Sequence, residues 1–396
     1  RNNSHGDSYI FYDDELNIKV FSDEEAYPYM TWIGEEVDEA YYKAVMGIEI
    51  NPGLDKSDFK IVYSPQHGAD NIPVRTCLKR LGYDIVPVLA QCAPDPDYTN
   101  TKSPNPEVDA SYELAIKLAK EVDADVVAIT DPDGDRLGVV AKHNGEYVLM
   151  SGNQSAAVYL EYILSQRKEK GTLPDNAVMY NTIVTSDLGE LVARNYGVDV
   201  EKTLTGFKFI GDKIRKYEKT HEKQFIFGYE ESYGCVVEDF VRDKDAVQAV
   251  LLAAECGNYY KKQGKDLIDV LNELYAKYGT FKESQIALAK AGAAGAARIK
   301  EMMDTLRQDK PTEIGGVKVV LSEDYATSER SDGTTIDLPK SNVLKYYLED
   351  GSWIAARPSG TEPKCKFYFS IKGKDAKDAA DKTEVFHKAM MELIGE

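Results

Sequence analysis

The chain has 396 residues, 43% of them apolar and 29% charged, with a formal net charge of −19; this is too long for one ordinary domain, and the composition is that of globular domains. The acidic balance excludes general nucleic-acid binding, which needs a basic face, and the longest apolar stretch, 246–254, is far too short to span a bilayer. Five widely spaced cysteines (Cys77, Cys92, Cys235, Cys256, Cys365), with no Cys-x-x-Cys pair, exclude a disulfide framework and a zinc site, and point to a reducing, cytoplasmic setting.

Residues 1–35 are acidic and tyrosine-rich. They offer one strand at 17–21 and a Ser-Asp-Glu-Glu helix start at Ser22. That is too little for a domain, and it reads as the tail of a first domain whose body is missing. Residues 36–150 read as an α/β unit. The pattern predicts a helix at 34–47, a strand at 60–64 and a helix at 71–81 closed by Gly82. A strand at 85–89, a Pro/Asp-rich crossing loop at 92–106 and a helix at 106–122 follow, then a strand at 126–130 and a hairpin turning on Asn144-Gly145.

Residues 151–265 repeat this rhythm, with helices at 154–165, 186–196, 206–217 and 245–262 and strands at 177–181 and 225–228. Residues 266–396 differ. Helices at 266–277 and 290–307 precede short strands at 317–321, 343–348, 353–357 and 366–371, and a helix at 375–394 ends the chain. The Ala-rich stretch 287–297 reads as a helix packed close to a neighbour. The expected architecture is therefore consecutive three-layer α/β domains with mixed sheets, followed by a smaller α+β domain.

The strand at 126–130 runs into Asp131-Pro132-Asp133-Gly134-Asp135-Arg136. Three carboxylates at alternate positions repel one another unless a cation sits among them, and hard oxygen ligands suit Mg²⁺ or Ca²⁺. An EF-hand is excluded, because a strand precedes the loop and its twelfth position is Lys142. A haloacid-dehalogenase-type nucleophile loop is disfavoured by Asp135, where that pattern wants Thr or Val. The plain alternative is a solvated acidic turn.

Three further loops carry chemistry. Gly206-Phe207-Lys208-Phe209-Ile210-Gly211-Asp212-Lys213 lacks the Gly-Lys-Ser/Thr end of a P-loop. It leaves Thr205-Gly206 ahead of a helix, either a plain helix start or backbone N–H groups offered to a ligand oxygen. Gly228-Tyr229-Glu230-Glu231-Ser232-Tyr233-Gly234 sets a Glu and a Ser between glycines, able to grip two vicinal hydroxyls or to be an ordinary charged loop. Lys244 lies nearby, in a charged segment ahead of an apolar helix. Arg357-Pro358-Ser359-Gly360-Thr361-Glu362-Pro363-Lys364 packs two cations and two hydroxyls between predicted strands, as a phosphate pocket or a hydrophilic hairpin loop.

These four loops, in this order, resemble those of the α-D-phosphohexomutases, and Ser64-Pro65-Gln66-His67-Gly68 and Ser103-Pro104-Asn105-Pro106-Glu107 support the likeness. The resemblance covers nearly the whole chain. It implies four domains around a cleft and Mg²⁺-dependent interconversion of glucose 1-phosphate and glucose 6-phosphate. A phosphoserine would carry the phosphoryl group, with glucose 1,6-bisphosphate as intermediate and activator. By this resemblance Asp131, Asp133 and Asp135 hold Mg²⁺, and Arg136 steadies charge beside it. Glu230 and Ser232 grip sugar hydroxyls. Lys244, Arg357, Ser359, Gly360 and Thr361 hold the phosphate that is not transferring, and Thr205, Gly206 and Lys208 also face the substrate.

The partner implied is a small hexose phosphate, with no nucleic acid and no membrane. Mannose or pentose phosphates, and a non-catalytic hexose-phosphate-binding module, stay open. The family's serine sits in a Thr-Ala-Ser-His-Asn-Pro loop. Ser4-His5 shares two of those letters, but Asn3 precedes and Gly6-Asp7 follow. The serine loop is thus expected before Arg1, in the missing first domain.

Overall fold

The computed structural model describes residues 9–12, 18–290, 292–359 and 363–396. Ser4 and His5 lie outside the described residues. Two units are distinguished, Arg1–Ala44 and Val45–Glu396. In the first, the strand expected alone at 17–21 is Ile18–Phe21, paired antiparallel with Tyr9–Tyr12. The short helix Asp23–Ala26 carries the capping box read at Ser22: Glu25 N–H donates to Ser22 Oγ, and Ser22 N–H donates to Glu25 Oε2.

The second unit contains three consecutive sheets. The first orders Asp84–Pro87, Lys60–Ser64, Val126–Thr130, Leu137–His143 and Glu146–Met150; the first three run parallel and the last two antiparallel. Val126–Thr130 is buried at every position, as an apolar β-branched run at the centre of a sheet must be. Its alternate residues face opposite layers. Val127 and Ile129 join Ala115 and Ala119 of the helix Glu113–Val122 in one core, while Val126 faces Gly257 of the helix Ala246–Lys261 on the other side.

The next sheet orders Cys235–Val236, Gln224–Tyr229, Ala177–Thr182 and Asp199–Thr203, with the last three parallel. Asp199–Thr203 is absent from the sequence expectation. It is a charged edge strand without an apolar alternation, and its polar side chains are spent on ion pairs, Lys202 to Asp187 at 2.8 Å and Glu201 to Lys213 at 2.8 Å.

The last sheet is antiparallel, in the order Thr280–Ala289, Lys364–Gly373, Trp353–Pro358, Leu344–Leu348, Val317–Asp324 and Glu313–Ile314. Thr280–Ala289 corrects the reading of 287–297 as one helix: Ala287 and Ala289 pair with Lys366 and Lys364, and the helix runs Gly292–Asp309. Ile299, Met302, Met303 and Leu306 from that helix pack with Phe386 and Met390 of Ala376–Leu393 and with Phe367 and Phe369 of the sheet.

Lys345 of Leu344–Leu348 is fully buried and donates to Ile183 O at 2.7 Å, its Nζ 3.9 Å from the Trp353 ring centre. Burial, and then Lys202, push its pKa down to about 7. A free lysine titrates near 10.4, so the folded protein excludes a proton that the unfolded chain keeps, and stability rises from pH 7 to pH 10. Against Lys345→Met, the wild type is expected to gain on the order of 3 kcal/mol over that interval. Urea denaturation at both pH values measures the difference, and parallel profiles would show that the amine stays charged.

Candidate functional site

The acidic loop follows Val126–Thr130 directly. Asp131 Oδ1 accepts the backbone N–H groups of Asp135 (3.1 Å) and Arg136 (2.9 Å), which closes the loop on itself. Gly134 takes φ +73°, a conformation side chains disfavour. One oxygen each from Asp131, Asp133 and Asp135 lies within 4.8 Å of the others. The donor set is all carboxylate oxygen, and Asp135 Oδ1 is buried without a hydrogen-bond partner. That chemistry fits Mg²⁺ or Ca²⁺.

Two cations flank the cluster. Lys244 Nζ lies 2.7 Å from Asp135 Oδ2, and Arg136 Nε lies 3.5 Å from both Asp131 Oδ2 and Asp135 Oδ1. Burial pushes the Asp131 carboxyl up to about 7, Asp135 and Asp133 adding to it while backbone N–H groups oppose it. Burial works against the Lys244 charge, but the Asp135 ion pair outweighs it and raises the Lys244 pKa.

Residues that the sequence left without a role complete the surroundings. Glu107 accepts from Arg136 Nη1 at 2.7 Å. The helix expected from 106 starts later: Ser111 Oγ donates to the carbonyls of Ser103 and Asn105 and Tyr112 Oη to that of Pro106, each at 2.7 Å, a 3-10 turn spans Asp109–Tyr112, and the α-helix runs from Glu113, so Glu107 lies in the loop before it. Asp70 is 6% exposed, and its carboxyl presses on Gly134, where an added Cβ would lie 2.3 Å from Asp70 Oδ1. Burial, then Asp245 and the three loop aspartates, push Asp70 up to about 7.

Gly134→Ala is accordingly expected to cost roughly 2 to 4 kcal/mol of folding stability, about 1–2 from the left-handed backbone and the rest from displacing the Asp70 carboxyl. Urea denaturation checks this, and a loss of about 0.5 kcal/mol, within the range of neutral surface changes, would mean that the loop relaxes freely.

The strand Gln224–Tyr229 delivers Glu230, 7% exposed, whose Oε1 accepts the Gly206 N–H at 2.7 Å. The amide that the sequence offers to a ligand oxygen is thus taken by Glu230. Burial raises the Glu230 pKa, and the Gly206 amide opposes the rise. Glu231 accepts from Thr182 Oγ1 (3.1 Å) and Thr185 Oγ1 (3.4 Å), and burial, then Glu230, push it up to about 7. Thr205 and Ser232 are half-buried, and Lys208 is exposed at the start of the helix Phe207–Thr220.

The fourth loop joins Trp353–Pro358 to Lys364–Gly373, and Ser359 N–H donates to Lys364 O at 2.7 Å. Gly360 and Thr361 lie outside the described residues. Tyr368, on the strand Lys364–Gly373, is 6% exposed, and burial pushes its phenol up to about 12, with Glu231 adding to the shift, Arg357 opposing it and Glu107 adding a little more. Arg357, Glu231 and Glu107, which belong to loops of the three different sheets, all act electrostatically on that hydroxyl. Tyr368 carried no signal in the sequence, since it alternates with core residues along an ordinary strand.

Family models agree in order with the three sheets. Residues 39–145 match phosphoglucomutase/phosphomannomutase alpha/beta/alpha domain II, residues 151–278 match alpha/beta/alpha domain III, and residues 292–386 match the C-terminal domain. Similar curated proteins include phosphoglucomutases of Staphylococcus haemolyticus, 37% identical over 85% of this chain and 62% of that protein, and of Staphylococcus aureus, 36% identical over 93% and 66%. The chain thus spans somewhat under two thirds of the length of these relatives.

Among solved structures, parafusin, a phosphoglucomutase from Paramecium in an open form, superposes with a TM-score of 0.68 at 17% identity, over 96% of this chain and 68% of that one. The Aspergillus fumigatus N-acetylphosphoglucosamine mutase in complex with glucose 1,6-bisphosphate gives 0.51 at 14% identity, over 90% and 65%. Both likenesses concern the fold. With three successive domain models of one family matched between residues 39 and 386, this chain belongs to the phosphoglucomutase/phosphomannomutase family.

Proposed function

We propose that this chain is the metal- and sugar-binding part of a phosphoglucomutase, which interconverts glucose 1-phosphate and glucose 6-phosphate through a phosphoserine and glucose 1,6-bisphosphate. The observation that carries the reading is the all-oxygen trio Asp131, Asp133 and Asp135, flanked by Lys244 and Arg136. When bound, Mg²⁺ neutralises phosphoryl charge there. Arg136, held by Glu107, steadies the same charge. Glu230 and Ser232 orient the sugar through its hydroxyls, with Thr205, Gly206 and Lys208 at its edge. Lys244, ion-paired with Asp135, joins Arg136 in steadying charge at the metal, and Arg357, Ser359, Gly360 and Thr361 hold the phosphate that stays.

Such chemistry asks for positioning and electrostatic stabilisation more than covalent work. The phosphoryl-carrying serine is assigned to a domain outside the three matched ones. The relatives' names support glucose phosphates over mannose or pentose phosphates. Calorimetry tests the proposal. One Mg²⁺ per chain and competing affinities for glucose 1-phosphate and glucose 6-phosphate, both tighter than for mannose 6-phosphate, are expected. Folded protein that takes up no Mg²⁺ and has no affinity for hexose phosphates would overturn it.

A further inference from the structure

Asp70 occupies the N-cap position of the helix Asn71–Leu81, where a carboxylate ordinarily accepts the first free backbone N–H groups. It makes no such bond, and its Oδ2 is buried without a hydrogen-bond partner. No ion pair among the described residues includes it. A buried, unpaired carboxylate oxygen is costly, and more so beside other carboxylates. Such a group is relieved either by taking up a proton or by a partner from outside the chain.

The segment that carries Asp70 is fixed to the acidic loop. Ala69 N–H donates to Pro132 O at 3.0 Å, and Gly68 lies so close that an added Cβ would stand 2.5 Å from Pro132 Cα. The same turn holds Gln66 at φ 50° and His67 at φ 64°, left-handed conformations that cost about 1–3 kcal/mol each and persist where the surroundings force them. His67 Nδ1 donates to Ala93 O at 2.7 Å and anchors the turn from its other side. Strain and packing are thus committed to pressing one carboxylate into the back of the acidic loop, at the single position, Gly134, with no side chain to exclude it. Asp70 is not in the group whose oxygens lie mutually within 4.8 Å, so it stands one step behind the ligands.

We propose that Asp70 is an outer-sphere carboxylate of the metal centre, accepting hydrogen bonds from water on the divalent ion held by Asp131, Asp133 and Asp135, and thereby favouring Mg²⁺ over Ca²⁺. The inference rests on the metal reading above. Its selectivity follows from coordination chemistry: Mg²⁺ keeps several waters in a rigid octahedron, whereas Ca²⁺ readily exchanges them for protein oxygens. Gly134 is glycine for the same reason that Asp70 is acidic, since the carboxylate needs the space a Cβ would fill.

Asp70→Asn keeps the shape and removes the charge. Titration of the metal-free chain with MgCl₂ and, separately, with CaCl₂ is expected to show Mg²⁺ affinity falling roughly tenfold to a hundredfold, as for other outer-shell partners, and Ca²⁺ affinity falling less. The metal-free variant is expected to melt no lower than the wild type, because a carboxylate leaves a crowded site. Unchanged Mg²⁺ affinity, or equal losses for the two ions as a general distortion would give, overturns the inference while the metal reading stands. A wild type that takes up neither ion removes both. Asp70→Ser, smaller and uncharged, carries the same expectation if the Asn variant does not fold.

Discussion

Asp133→Ala is expected to abolish Mg²⁺ uptake and leave the fold intact. The choice among the three aspartates matters. Asp131 Oδ1 is spent on two backbone amides that shape the loop, so its removal would unfold what it is meant to probe. Asp135 is tied to Lys244 at 2.7 Å, and losing it would leave that half-buried ammonium only the longer contact to Asp243 at 3.4 Å. Asp133 is exposed, and its oxygen still lies within 4.8 Å of the other two. Its truncation therefore removes a ligand and little else, and stability should stay within about 0.5 kcal/mol of wild type. In a polypeptide that also carries the serine loop, turnover should fall by roughly a thousandfold or more, the several kcal/mol a metal contributes to phosphoryl charge stabilisation. Calorimetric titration with MgCl₂ decides the matter, and undiminished uptake by the variant would remove the metal assignment.

Arg357→Ala is expected to weaken glucose 1-phosphate binding by roughly 2 to 5 kcal/mol, the cost of truncating one member of a buried, hydrogen-bonded charge pair. Tenfold per 1.4 kcal/mol makes that a rise in Kd of about thirtyfold to several thousandfold. Arg357 sits near the end of Trp353–Pro358, paired with Lys366 across the sheet, so its backbone is held whatever the side chain. Arg357→Lys keeps the charge but loses the planar fork, and should fall between the two. A change of only a few tenths of a kcal/mol, measured by calorimetry at fixed ionic strength, would count against this loop as a phosphate pocket.

Much of the fold was legible because its signals are local. Val126–Thr130, the stop at Gly82 and the turn at Asn144-Gly145 depend on residues within a few positions of one another. Side-chain caps follow the same rule: Ser151, Ser186, Asp245, Asp266 and Asp375 each accept an N–H at the start of a helix. The acidic loop belongs to this class, since three carboxylates in five residues state their chemistry without any knowledge of what surrounds them.

Tertiary structure decided the rest, wherever a group's partner is distant in the chain. The strand Thr280–Ala289 pairs with Lys364–Gly373, some eighty residues on. Asp199–Thr203 hides its strand character under charges that only the fold neutralises. Glu107 meets Arg136, 29 residues on, from the loop ahead of a helix, and Glu230 takes the Gly206 amide across a loop. Asp70, an unremarked residue before a helix, is pressed against Gly134 by a turn fused to Pro132. By itself the sequence determined which local segments exist and which residue types could carry the chemistry. Which of them meet, and which amides and charges are already spent, was settled by packing, because long-range contacts leave no periodic trace in the residues that make them.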